Sequence, residues 1–315
     1  MSKRTYLVTG GAGFIGSHIA ERLAREGNRV RVLDDFSSGK EANLESFRDG
    51  VEIVRGDIRD ARLVNDASKG VDIVFHEAAL GSVPRSVAEP LLTHEVNITG
   101  TLNVLLAARD AGVKRVVYAS SSSVYGETPI LPKHEEMTPL PLSPYALSKL
   151  VGEHYAKVFK QVYGFEVVAL RYFNIFGPRQ DLESQYAAVI PRFITALLTG
   201  KSPAVYGDGL QSRDFTYVDN VVEANLLASE ADGAAGKAFN IACGGRYTLI
   251  ELLAKLREMI GNDIEATHEP TRAGDVRDSQ ASIEAAQRVF GYRVSVGFEE
   301  GLRRTVGWYR TQIEE

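Results

Sequence analysis

What the chain lacks narrows what it can be. It carries a single cysteine, Cys243, so no internal disulfide can form, which fits a reducing compartment. Its six histidines are scattered without metal-ligand spacing, and no metal site is expected. No stretch approaches the roughly 20 consecutive apolar residues of a membrane helix. Met1 to Arg4 lead straight into a glycine turn, with no apolar leader region. Neither charge dominates: the net charge is −5 and the basic residues are dispersed, so neither nucleic acid nor membrane is an expected partner. No repeat or linker interrupts the chain. A soluble cytoplasmic protein is the expectation, and 315 residues at 44% hydrophobic can bury one large core, or one large and one small.

What is present starts at Thr5 to Gly16, TYLVTGGAGFIG. Tyr6-Leu7-Val8 reads as a short buried strand that runs into Gly10, Gly11, Gly13 and Gly16. Ile15, Ile19 and Leu23 then keep a helical spacing, and Gly27 is placed to end the helix. The glycines at 10, 13 and 16 suit a tight turn, close approach of backbone to a pyrophosphate, and close packing of helix on strand. The helix start offers unpaired N–H groups to phosphate oxygens. Arg29 to Asp35 reads as the second strand, and Asp34 falls 18 residues after Gly16. A carboxylate there accepts hydrogen bonds from an adenosine ribose and repels the extra phosphate of NADP, so the expected cofactor is NAD.

Further along, Val51 to Asp57 and Val71 to Ala79 read as parallel strands ending in polar or small residues, where ligands bind. His94 to Gly112 reads as a helix with Leu102, Leu105 and Leu106 on its apolar face, and Lys114 to Ser120 as the next strand. This alternation predicts an α/β fold with a doubly wound parallel sheet. Thr248 to Ile260 and Phe298 to Ile313 read as core-facing helices, with Trp308 a packing residue.

Two features depart from what packing needs. The strand KRVVYAS runs into Ser121-Ser122-Ser123, and about 20 residues later comes Ser143-Pro144-Tyr145-Ala146-Leu147-Ser148-Lys149. Ser143 is a good N-cap and Pro144 suits the first turn, so Tyr145 and Lys149 share one helix face. Alone, such a pair is ordinary helix surface; beside a dinucleotide site and a serine-rich strand end it suggests chemistry. A tyrosine at its usual pKa of about 10 is a poor base at neutral pH. Bringing it to about 7 takes roughly 4 kcal/mol, which an ammonium within about 4–6 Å and a cationic nicotinamide could supply. Tyr145 would then serve as a general base.

These elements, with Gly56-Asp57-Ile58, Arg171-Tyr172-Phe173-Asn174 and Arg272-Ala273-Gly274-Asp275, resemble the extended short-chain dehydrogenase/reductase family of nucleotide-sugar enzymes over nearly the whole chain. Within it the chain most resembles the UDP-sugar 4-epimerases, and among them the UDP-N-acetylglucosamine 4-epimerases. The resemblance implies a Rossmann NAD-binding domain over 1–173, with segments near 214–243, and a smaller α/β UDP-sugar-binding domain from 174–213 and 244–315. It implies that Tyr145 takes the proton of the sugar 4-hydroxyl, that Lys149 holds the nicotinamide ribose, and that Ser121 hydrogen-bonds the reacting oxygen. For the cofactor it implies contacts from Gly10, Gly13, Phe14, Ile15, Gly16, Asp34, Asp35 and Phe36. Ser38 and Gly39 fall at the pyrophosphate, Asp57 and Ile58 at adenine, Ala78 and Ala79 beside the cofactor, and Tyr172 near the nicotinamide.

For the substrate, Asn174, Arg213 and Arg272 match positions that hold the diphosphate, where guanidinium groups suit phosphate oxygens. Asp275 matches a ribose ligand, and Ala188, Val189 and the Tyr206 region would flank the uracil. Any one of these arginines taken singly reads as a surface ion pair; the argument rests on their joint positions. Ser122 and Ser123 stand where the 4,6-dehydratases carry an acid pair and the decarboxylases a glutamate, which argues against both chemistries. Gly81-Ser82-Val83-Pro84-Arg85-Ser86 and Tyr186 to Pro191 resemble sugar-facing loops of acetylhexosamine epimerases. Ser279 falls where glucose-only epimerases carry a pocket-narrowing tyrosine, leaving room for an N-acetyl group. Helices 94–112 and 143–163 resemble a pair that forms a homodimer interface in the family. Alternatives are a UDP-glucose/UDP-galactose 4-epimerase, a UDP-uronate 4-epimerase and, from a different class, a non-catalytic NAD-sensing protein.

Overall fold

The structure, a computed structural model of the chain, describes residues 3–181, 188–271 and 276–314. Its centre is a sheet of seven parallel strands. The first six are β1 (Thr5–Thr9), β2 (Arg29–Asp34), β3 (Val51–Arg55), β4 (Ile73–His76), β5 (Arg115–Ser121) and β6 (Glu166–Tyr172). Short strands follow: β7 (Ile175–Phe176), β8 (Ala204–Tyr206), β9 (Ser212–Arg213), β10 (Thr216–Tyr217), β11 (Ala238–Ile241), β12 (Tyr247–Thr248) and β13 (Thr267–Glu269). The seven-stranded sheet runs β11-β6-β5-β4-β1-β2-β3. Such strands must be apolar on both faces, because helices cover both.

On one face α1 (Phe14–Arg25) brings Ile19 and Leu23 against the sheet, joined later by Val221 of α8 (Val218–Glu230) and Phe290 of α10 (Glu284–Phe290). On the other lie α2 (Ala61–Ser68), α5 (Thr101–Asp110) and α6 (Pro144–Tyr163), through Val64, Leu105 and Phe159. The chain winds from β1 outward to β3, then returns to β1's other side at β4. In such sheets a crevice opens where the order reverses, at the carboxyl ends of β1 and β4. This is the Rossmann arrangement that the alternation of strand and helix predicts.

Two elements differ from the sequence expectation. The strand foreseen over 71–79 stops at His76, so residues 77–79 leave the sheet and line the crevice. The helix foreseen from His94 begins earlier, because Pro90 opens α4 (Pro90–His94), the successor of the short α3 (Val83–Ala88). A π-helical turn, Glu95–Gly100, then joins α4 to α5. Gly100 is required within it: a Cβ there would sit 2.6 Å from the Ile58 side chain.

A separate apolar core gathers α7 (Val189–Leu198), α9 (Leu249–Ile260) and α11 (Phe298–Glu314) around Phe193, Leu252 and Leu302. Three two-stranded ladders, β7 with β10, β8 with β13 and β9 with β12, carry the chain around it. Among the described residues no helix is long and apolar enough to cross a membrane.

Candidate active site

A cavity of about 1090 Å³ opens over the reversal point. Its floor is the glycine turn: Gly10, Gly13, Phe14, Ile15 and Gly16 all line it. Gly10 has φ +67°, and a Cβ there would lie 2.7 Å from the Ala78 amide nitrogen; at Gly16 a Cβ would come within 2.2 Å of the Gly10 carbonyl oxygen. α1 starts at Phe14 with no side chain capping its first N–H groups, which is what an anion needs. Asp34 and Asp35 with Ser38 line the wall beyond β2, and Asp57 and Ile58 the wall beyond β3. An uncapped helix start, a cradle that any Cβ would fill and a carboxylate beyond it fit a dinucleotide.

Asp34 does more than face the cleft. Its carboxylate accepts from the Ala12 amide at 2.9 Å and the Phe36 amide at 2.8 Å, bracing the glycine turn against the next one. Burial pushes its pKa up, and these N–H donors oppose that. Asp57 is held below its ordinary value by Arg59, 2.6 Å away. Phe36 and Gly39 are not among the residues lining the cleft. Phe36 packs on the core with the Arg55 guanidinium 4.2 Å above its ring. Gly39 fits against Ala12 and Asp34, where a Cβ would be 2.8 Å from an Asp34 oxygen. Both shape the loop that carries Ser38.

Behind Glu77 of the cleft wall three strand ends meet α6, and Ser121, Ser122, Ser123, Tyr145 and Lys149 lie there without being among the residues that line the cleft. Ser143 caps that helix by accepting from the Ala146 amide at 3.1 Å, and Pro144 is its first residue. Tyr145 and Lys149 thus face β5, where the Ser121 side chain favours the charged form of Tyr145. Ser121 Oγ also accepts from the Ser123 amide at 3.2 Å and the Ser123 hydroxyl at 2.9 Å, while Ser122 opens the 3-10 turn that follows. Lys149 Nζ lies 5.9 Å from the Tyr145 ring centre and donates to the Ala119 carbonyl at 2.8 Å.

The sequence reading has Lys149 and a cationic nicotinamide together lower the tyrosine; the chain's own groups alone push it the other way. Burial pushes Tyr145 above its ordinary value, the Ser121 hydrogen bond opposes this, and Glu77 adds to the rise. Burial likewise pushes Lys149 down to about 8, against the favourable charge of Glu77. Burial therefore sets the direction for Tyr145, and a phenolate here calls for the positive charge that a bound nicotinamide would add.

Tyr172, beside Ser121 in register, does not line the cleft. Its hydroxyl donates to Glu77 Oε1 at 2.9 Å and accepts from Asn225 at 2.8 Å. Ala78, Ala79, Gly81 and Ser82 line the cleft, as does Ala188, the N-cap of α7. Asn174, at φ +42°, donates to the Asp214 carbonyl at 3.0 Å and to Ser279 Oγ at 3.4 Å. Arg213 donates to the Ser212 carbonyl at 2.9 Å, and the Ser279 amide to the Ser212 carbonyl at 3.0 Å. The structure therefore gathers Asn174, Arg213 and Ser279 around Ser212. Val189 starts α7, and Tyr206 ends β8 under the Arg192 guanidinium, 5.1 Å away. Tyr186, Ala187, Arg272 and Asp275 lie outside the described residues.

Two residues escaped the sequence reading. Asn97, buried in the π turn, accepts from the Leu80 amide at 2.8 Å and donates to Leu80 O at 3.2 Å and Ser148 Oγ at 3.0 Å. It ties the loop after β4 to the helix of Tyr145 and Lys149; its signal was an amide placed among residues that pack. Glu77 lines the cleft between Ala78 and His76, and its signal was a lone charge in the run VFHEAAL.

The profile of the NAD dependent epimerase/dehydratase family matches residues 6–242. A UDP-glucose 4-epimerase of Mycolicibacterium smegmatis is 39% identical over 98% of this chain and 99% of its own. The solved UDP-N-acetylglucosamine 4-epimerase of Methanobrevibacter ruminantium, in complex with UDP-N-acetylmuramic acid, is 44% identical with a TM-score of 0.95, covering 99% of this chain and 100% of that one. The Thermus thermophilus UDP-glucose 4-epimerase, in complex with NAD, is 40% identical with a TM-score of 0.89, over 97% of this chain and 99% of that one.

Proposed function

The chain belongs to the NAD dependent epimerase/dehydratase family, and from that premise we infer an NAD-dependent UDP-sugar 4-epimerase whose sugar is N-acetylated, interconverting UDP-N-acetylglucosamine and UDP-N-acetylgalactosamine. The observation that carries the chemistry is Tyr145 of α6, with the Lys149 ammonium 5.9 Å from its ring and the Ser121 side chain favouring its charged form, next to Glu77 of the dinucleotide cleft. Bound NAD supplies the two-electron acceptor, and its cationic ring supplies the second positive charge that Tyr145 needs. Gly10, Gly13 and Gly16 with the start of α1 would hold the pyrophosphate, Asp34 the adenosine ribose, and Lys149 the nicotinamide ribose. Tyr145 takes the proton of the 4-hydroxyl and returns it after the 4-keto sugar has turned over; Ser121 holds that oxygen in both halves of the cycle. Asn174 and Arg213 hold the diphosphate, with Arg272 and Asp275 added from segments outside the described residues. We assign 1–173 with 214–243 to the NAD-binding unit and 174–213 with 244–315 to the smaller one, corrected for α10, whose Ala286 and Phe290 pack on the NAD-binding sheet.

The N-acetylated sugar is supported by the small Ser279 next to Asn174 and by the 44% identical UDP-N-acetylglucosamine epimerase. The 39–40% identical UDP-glucose 4-epimerases favour a second reading, in which UDP-glucose and UDP-galactose are the pair. Incubating the protein, without and then with NAD, with each sugar and following the anomeric protons by NMR separates them. Conversion of the acetylated sugar at comparable or higher efficiency supports the first; conversion of UDP-glucose alone supports the second. We also propose a homodimer through the 94–112 and 143–163 helices. Leu147, Val158 and Val162 expose one apolar stripe of α6, at 51%, 44% and 65%, near Leu91 at 70%. Sedimentation should show two copies, and Val162→Glu should dissociate them.

A further inference from the structure

Glu77 is a buried-end carboxylate that the roles above leave unused. It comes from the first residue after β4, lines the cleft, and is fixed there by the Tyr172 hydroxyl at 2.9 Å, itself fixed by Asn225 at 2.8 Å. A glutamate half-buried in a cleft wall and tied to a tyrosine hydroxyl loses hydration that a facing charge must offset. The groups facing it are Tyr145 and Lys149 from α6 and Tyr172 from β6, with Tyr118 of β5 5.2 Å from the Lys149 ammonium. Neighbouring His76 is locked between Thr9 and Thr101 at 2.7 and 2.9 Å. Burial, with Lys149's charge adding to it, drives His76 down to about 3, so it stays neutral. Burial drives Tyr118 and Tyr172 well above their ordinary values, so they stay neutral too. The charge balance at this end of the cleft is therefore held by Glu77, Lys149 and Tyr145.

We propose that Glu77 is a positioning residue: its carboxylate, held on the Tyr172 hydroxyl, is the counter-charge that keeps the Lys149 ammonium protonated beside Tyr145. The inference rests on the functional reading above, in which Lys149 holds the cofactor. Burial raises Glu77 to about 7, and its partners oppose that rise, so it is ionised over the range in which Lys149, at about 8, would lose its proton. Removing the carboxylate's charge withdraws the only acidic side chain named above from Lys149, and the lysine then deprotonates at lower pH.

Glu77→Gln makes the test, because its amide oxygen still accepts from Tyr172 while the charge is gone. NAD affinity is measured by calorimetry across pH 7 to 10, without sugar. In the wild type it should fall as Lys149 deprotonates. In Glu77→Gln the fall should come about one pH unit lower, a roughly threefold weaker affinity between the two midpoints that approaches tenfold above the higher one. Glu77→Asp, which keeps the charge, should move the midpoint back toward wild type. Superimposable pH profiles for wild type and Glu77→Gln overturn the proposal, whether or not the melting temperature has changed, and leave Glu77 as a structural acceptor for Tyr172. A wild type that binds no NAD at any pH overturns the functional reading itself, which this measurement reads separately.

Discussion

The two ends of the cleft are built by opposite means. At the glycine turn the site is made of backbone: uncapped N–H groups, a φ of +67° at Gly10, and the absence of side chains at Gly10 and Gly16. Behind Glu77 it is made of side chains brought from the end of β4, from β5, β6 and α6, packed so that they change one another's charge. A backbone site works by exclusion and tolerates no added atom. A side-chain site works by balance, and a single atom removed can abolish the chemistry while leaving the architecture standing.

The largest effect should therefore come from deleting one oxygen. Tyr145→Phe keeps the ring and removes the hydroxyl whose charged form Ser121 favours. The rate of epimerisation should fall by about a thousandfold, the scale of a lost general base, with NAD affinity nearly unchanged. Rates by NMR and cofactor binding by calorimetry check both halves, and a variant with wild-type rate would take Tyr145 out of the mechanism. At the opposite end, Gly16→Ala adds one carbon 2.2 Å from the Gly10 carbonyl oxygen. Overpacking of this kind costs about 1–3 kcal/mol, felt where the turn meets the pyrophosphate, so NAD affinity should drop about 10- to 100-fold. At saturating NAD the rate should stay close to wild type. If Gly16→Ala lowered the saturated rate and spared affinity, the contrast between the two ends would collapse.

The same contrast explains what could be read in advance. Glycines at 10, 13 and 16 announce themselves because few folds need them at that spacing, and Asp34 is found by counting from them. The pairing of Tyr145 with Lys149 was legible from helical spacing, and Ser143 caps the helix as its chemistry demands. The burial that pushes Tyr145 up was not legible, because sequence spacing carries no depth. Nor was Asn97, whose position requires a π turn that breaks the 3.6-residue period used to read helices. On the substrate side the residues come from two-residue strands and loops, where no periodicity operates; there the placement of Asn174, Arg213 and Ser279 was proposed from resemblance alone.

Ser279 gives the smallest and most selective effect, since it tests room and not chemistry. It is 6% exposed, its amide is fixed to the Ser212 carbonyl, and its hydroxyl is the weaker of two partners of Asn174, at 3.4 Å against 3.0 Å for the Asp214 carbonyl. Ser279→Ala should therefore change neither sugar's kcat/KM by more than about threefold, because Asn174 keeps its stronger partner. Ser279→Tyr fills the space instead, and should lower kcat/KM for UDP-N-acetylglucosamine by about tenfold while UDP-glucose is little affected, the range a pocket gains by rejecting a bulkier group. Equal losses for both sugars would mean that the tyrosine had displaced Asn174 from the diphosphate. Unchanged turnover of the acetylated sugar would mean that its N-acetyl group lies elsewhere, and the specificity would then have to be sought in the loop from Gly81 to Ser86 at the cleft's own edge.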